Sequence, residues 1–94
     1  MSAAGTWRIE VAGRKFILVL KAAGGGKLTG TMVEEGGKEP QPIKNGWENG
    51  VKVHWEVTVP FDTAFDGELF DSDNKMRGTA EAPLGSAPFG GTRI

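Results

Sequence analysis

There is no cysteine in this chain of 94 residues, and that one absence removes disulfides, thiol nucleophiles and thiolate metal sites together. Core packing must supply the stability. Long hydrophobic runs are missing too. The longest, Phe16-Ile17-Leu18-Val19-Leu20, falls far short of the roughly 20 residues that span a bilayer, so no membrane segment is expected. Nor is there a surplus of one charge. Eleven Lys and Arg face 12 Asp and Glu for a net charge of -1, which gives no electrostatic reason to expect nucleic acid or an anionic membrane as partner. The segment Met1 to Trp7 has no basic start followed by an apolar stretch, so no export signal is read and a cytoplasmic location is expected. An exported precursor with its signal removed and a new Met would read the same.

Glycine is what the chain has in quantity. Fifteen Gly and five Pro punctuate it at about the 8–12-residue spacing of an all-β sandwich or barrel, and helix signals are scarce. The clearest strand is predicted over Val51–Val59, where Val51, Val53, Trp55, Val57 and Val59 alternate with Lys52, His54, Glu56 and Thr58. Successive Cβ atoms point to opposite faces, so the first set is expected in a core and the second in water. The same alternation places strands at Trp7–Val11, Lys15–Lys21, Leu28–Met32, less regularly at Gln41–Trp47, and at Phe65–Phe70, Lys75–Ala82 and Phe89–Arg93. Between them lie turn signals at Gly13, Gly24–Gly26, Glu34–Lys38, Asn49-Gly50, Pro60–Ala64, Asp71–Asn74 and Pro83–Pro88.

Eight short strands, each joined to the next, can close into one up-and-down tube, and closure removes the unpaired edges of a small flat sheet. The expected fold is therefore a single all-β domain over 1–94, an eight-stranded antiparallel meander barrel. Gly30, Gly67 and Gly78 fall inside strands, where a tightly coiled wall needs kinks or close approach, or where they make room for Trp55 or Trp47. The recurring Gly-Thr pairs of Gly5-Thr6, Gly30-Thr31, Gly78-Thr79 and Gly91-Thr92 have no constant period and express a repeated local need, not a solenoid repeat.

Chemistry-bearing residues are few. His54, the only His, sits on the wet face of its strand and reads as a solvated residue; with no second His and no Cys, no metal site is expected. Ser2, Ser72 and Ser86 stand in a terminus or turns and make no nucleophile elbow. Gly26-Lys27 lacks the flanking pattern of a phosphate loop, and Asp71, Asp73 and Asn74 lack the correctly spaced Glu of a calcium loop. Asp62, Asp66, Glu68 and Asp71 read as a solvated acidic rim. The aromatics carry more information. Three Trp and five Phe are many rings for a small core; Trp47 differs because it lies between Asn45-Gly46 and Asn49-Gly50, where partial exposure and a contact role are expected.

The start Gly5-Thr6-Trp7, eight meander strands and a late Arg93 together resemble the calycin barrels, the lipocalins, fatty-acid-binding proteins and avidins. The chain is shorter than those proteins and lacks the lipocalin helix. Pro42-Ile43, Gly46, Gly50, Val53 and Trp55 also look like small bacterial β-barrel proteins. The calycin resemblance implies that Trp7 and Arg93, with Gly5 beside them, close one end of the barrel, and that a small, mostly apolar molecule is held inside. The leading expectation is thus a non-enzymatic binder without cofactor, monomeric or homodimeric, whose ligand meets Trp47, Trp55, Phe65 and Met76 at the open end. A filled barrel acting through its outer surface, as an interaction or accessory module, is the second reading. A small barrel isomerase or cyclase using one of the acidic residues as base is the third.

Overall fold

The computed structural model describes residues 2–58 and 60–94. Alternation of inward apolar and outward polar side chains builds β1 (Gly5–Val11), β2 (Arg14–Ala22), β3 (Lys27–Glu34), β4 (Gln41–Pro42), β5 (Lys44–Asn49), β6 (Lys52–Val57), β7 (Thr63–Phe70), β8 (Lys75–Ala82) and β9 (Gly85–Arg93). Neighbours in sequence pair antiparallel along the wall, except that β5 pairs with β3 and not with β4, and β9 returns to β1 with Trp7 opposite Arg93 and Val11 opposite Phe89. The sheet closes on itself. It is an eight-stranded meander barrel with one additional short strand, β4, which pairs with β3 beside β5. No helix long and apolar enough to cross a membrane occurs among the described residues.

Four local expectations are corrected. The Gln41–Trp47 strand is two strands parted at Ile43, and the second runs on to Asn49. Its first Asn-Gly pair is no turn: Asn45 has a φ of 52° inside β5, and the register with β6 slips between Lys44 and Trp47, so this is a bulge, tied across by Asn45 Nδ2 donating to Glu56 at 3.1 Å. The Pro83–Pro88 loop shrinks to Pro83-Leu84, because β9 already starts at Gly85 and pairs with β8 through Pro88 opposite Thr79. Pro88 is tolerated there because β1 ends opposite Phe89, leaving the strand with a neighbour on one side only. Val51 belongs to the turn and is half exposed, whereas Val53, Trp55 and Val57 are buried as expected; Val59 lies outside the described residues.

The in-strand glycines of β7 and β8 serve two needs, close strand approach at Gly78 and room for the Phe89 ring at Gly67. A methyl group on Gly78 would overlap the Asp66 carbonyl oxygen and Gly67 on the adjoining strand, and one on Gly67 would meet the Phe89 ring, so neither makes room for Trp47 or Trp55. Buried side chains from all around the barrel then fill the interior, with Trp7, Ile9, Leu18 and Trp55 wholly enclosed. Trp55 Nε1–H is buried without a hydrogen-bond partner among the described residues.

One end of the tube is sealed. The Trp7 indole N–H donates to the Ala3 carbonyl at 2.8 Å, which folds the N-terminal segment over the opening. Arg93 lies above the indole, its guanidinium carbon 4.4 Å from the ring centre, and donates to the carbonyls of Ala4 (2.7 Å), Ser2 (3.0 Å) and Asp73 (2.9 Å). A single cation thus ties together the first residues, the last strand and the β7–β8 turn. Glu48 completes the cap by accepting from the Ala3 amide at 2.9 Å and from the Ser2 hydroxyl. Gly5 is required beneath, since a Cβ there would collide with Arg93 Nη1.

Candidate functional site

The opposite end stays open because its inward positions carry smaller or more widely spaced side chains. Val11, Phe16, Met32, Val57 and Phe65 point in from one part of the wall, while β8 and β9 offer only the small residues Ala80, Ala82, Gly85, Ser86 and Ala87. The result is a hollow of about 570 Å³. That volume falls among clefts that take small molecules, roughly 300–1,000 Å³. Phe65 reaches it from an aromatic trio: its ring stacks on Trp55 with centres 4.8 Å apart and meets Phe89 edge-on at 5.4 Å. The trio is rigid, since Trp55 also meets Phe89 edge-on at 5.5 Å and all three rings are buried.

The rim is apolar at two loop tips and charged at a third place. Phe61, from the β6–β7 connection, is 52% exposed, and Leu84, at the β8–β9 tip, is fully exposed; both line the hollow. Across from them Arg14 forks onto Glu34, Nε to Oε2 at 2.9 Å and Nη2 to Oε1 at 2.6 Å, with its guanidinium 5.7 Å from the Phe16 ring centre. The hydrogen bonds and charge attraction of the pair raise the Arg14 pKa and lower that of the Glu34 carboxyl. Glu39 is the other charged residue lining the opening. A shallower recess of about 370 Å³ adjoins the mouth and shares Val57, Thr63 and Ala82 with it.

The expected ligand residues divide between three environments. Phe65 lines the hollow, and Trp55 lies stacked against it in the core. Met76 is buried, paired with Leu69 and Gly91 toward the sealed end. Trp47 is on the outer wall, 42% exposed, its ring stacked on the His54 imidazole with centres 5.5 Å apart. The bulge at Asn45 sets this side, because Trp47 pairs with His54, an outward position.

His54 itself is not solvated. Its Nδ1 lies 2.6 Å from Asp66 and its Nε2 2.7 Å from Glu56, leaving its side chain only 13% exposed. Partial burial works to lower its pKa, but the hydrogen bonds and negative charges of Glu56 and Asp66 outweigh it and the net shift is upward. Both ring nitrogens are engaged, so this is a cross-strand ion cluster and no free base. The acidic residues do not form one rim: Asp62 borders the side recess, Asp66 holds His54, Glu68 pairs with Arg77 on the wall at 3.2 Å, and Asp71 turns the chain at the sealed end.

Sequence reasoning missed Val11, Phe16, Met32, Ala82, Ala87, Phe61 and Leu84. A signal was present: Ala80 and Ala82 are consecutive inward positions of β8, a run of small side chains in the wall. Compared with known proteins, the chain matches no family model, no curated protein and no solved structure.

Proposed function

We propose that this protein is a non-enzymatic binding domain that takes a small apolar ligand in the open mouth of its barrel, in the manner of the calycin proteins it resembles. The observation that carries this reading is the asymmetry of the tube: sealed at Trp7 and Arg93, hollow between Phe16, Phe65 and the alanines of β8 and β9. Transfer of apolar surface from water into such a hollow is favourable by about 25 cal/mol per Å². Its aromatic floor is already packed, so little ordering is needed on binding.

The uncharged fluorophore N-phenyl-1-naphthylamine tests it. Saturable enhancement of its emission is expected, lost in Ala82→Trp and Ala87→Trp, whose new rings occupy the hollow, and kept in Trp47→Ala. A second reading, an interaction module working through its outer wall, draws support from the half-exposed Trp47 ring. Loss of binding in Trp47→Ala with full retention in Ala82→Trp would transfer the site to that wall, and no saturable binding at all would leave the interaction module as the better reading.

A further inference from the structure

We infer that the mouth selects uncharged ligands and turns away carboxylates and sulfonates, and that Glu34 sets this selectivity by occupying Arg14. The inference rests on the ligand-binding reading above and narrows its substrate class.

Among the residues lining the hollow, three carry charge: Arg14, Glu34 and Glu39. Arg14 is the one cation, and a ligand anion would need it. Its fork is already matched to a carboxylate, with one donor on each Glu34 oxygen, which is the geometry in which guanidinium holds an anion best. The pair is built by strand register. Glu34 lies opposite Phe16, Arg14 opposite Val11, and both side chains stand at the edge of the opening. Two other basic residues of this end are paired, Arg8 with Glu35 at 3.0 Å and Lys15 with Glu10 at 3.8 Å, while Lys38 beside Glu39 is exposed and does not line the hollow. Glu39 has no ion-pair partner among the described residues, so the lining is left with one net negative charge. The adjoining recess repeats the bias, with Glu56, Asp62 and Glu81 against Lys44.

An anionic head at this rim would therefore meet repulsion from Glu39 and no unpaired cation among the residues lining the hollow, and pushed deeper it would be desolvated among Val11, Met32 and Phe65 with no counter-charge. An uncharged molecule avoids both penalties. Arg14 and Glu34 are each about half exposed, so Glu34 can be neutralised without opening the core.

Two probes with one ring system separate the terms: N-phenyl-1-naphthylamine and its 8-sulfonate, titrated by fluorescence against wild type, Glu34→Gln and the double variant Arg14→Gln/Glu34→Gln. In wild type the uncharged probe is expected to bind at least about tenfold more tightly than the sulfonate. Glu34→Gln frees the guanidinium and should raise sulfonate affinity about tenfold, the scale of one charge-assisted contact, with the uncharged probe changed less than about twofold. The double variant should lose that gain. The bulk of the sulfonate is the same in all three proteins, so the gain reports charge alone. Equal affinity for the two probes in wild type, or no gain in Glu34→Gln, overturns the selectivity while leaving the binding reading in place. Failure of both probes to bind overturns the two together.

Discussion

Replacing Trp7 by alanine should cost far more than replacing Trp47, although both remove an indole. Trp7 has no exposed surface, so its loss carries the transfer term and an unfilled cavity, about 3–5 kcal/mol for a buried aromatic. The Ala3 carbonyl also loses its 2.8 Å donor, about 1 kcal/mol. Arg93 retains the carbonyls of Ser2, Ala4 and Asp73, which limits the further loss to its contact with the ring. A cost of about 4–6 kcal/mol is expected. For 94 residues the whole net stability is roughly 5–14 kcal/mol, so the variant should sit near the edge of folding. Trp47 gives up only its stack on His54 and a half-exposed surface, about 1 kcal/mol. Urea unfolding followed by far-ultraviolet circular dichroism measures both. The midpoints should differ by roughly 1–5 M, given slopes of about 1–3 kcal/mol per M. Equal midpoints, or a lower one for Trp47→Ala, would refute the assignment of Trp7 as the plug of a sealed end.

The cluster around His54 should make stability depend on pH. Its folded pKa is raised above the usual 6.5, so its stabilising contribution is complete below pH 6.5 and disappears as pH rises through the folded value. Glu56 is lowered below the usual 4.5, so its share is present above pH 4.5 and lost as pH falls through its folded value. Unfolding free energies should decline from pH 6 toward alkaline pH in wild type and much less in His54→Gln; the same decline in both would remove the cluster as its source. Gly78→Ala should destabilise by about 3 kcal/mol or more, since the methyl meets backbone atoms of β7 that cannot move aside. Gly90→Ala, whose nearest neighbour would lie 4.0 Å away, is the matched control and should change thermal stability little. Similar melting temperatures for the two variants would contradict the close approach of β7 and β8.

Alternation made most of the barrel readable. Val53, Trp55 and Val57 sit where a period of two puts them, and Arg93 lies over the Trp7 indole with its Nη1 above Gly5. The errors share a cause: side-chain period speaks of faces, and register is decided by backbone geometry that period does not encode. Asn45-Gly46 has turn composition but forms a bulge, and that bulge fixes the outward side for Trp47. Pro88 looks like a loop residue until the length of β1 shows that the strand has no second neighbour there. Val51 continues an apolar pattern yet falls in the turn. The hollow was harder still, because it arises from the sum of inward volumes at one level of the tube, to which Val11, Met32, Phe65 and Ala82 contribute from strands far apart in sequence. His54 misled for a similar reason: its partners Asp66 and Trp47 come from the two flanking strands.

Amide chemical-shift mapping by two-dimensional ¹H–¹⁵N NMR, with N-phenyl-1-naphthylamine added stepwise, tests most directly whether the tube is plugged at one end and receptive at the other. Shifts that saturate at Ala12, Val33, Thr63, Ala82 and Ala87, with Trp7, Asp73 and Arg93 unmoved, are expected. Shifts centred on the Trp7 and Arg93 end, or on Trp47 and His54, or no shifts at all, would contradict it.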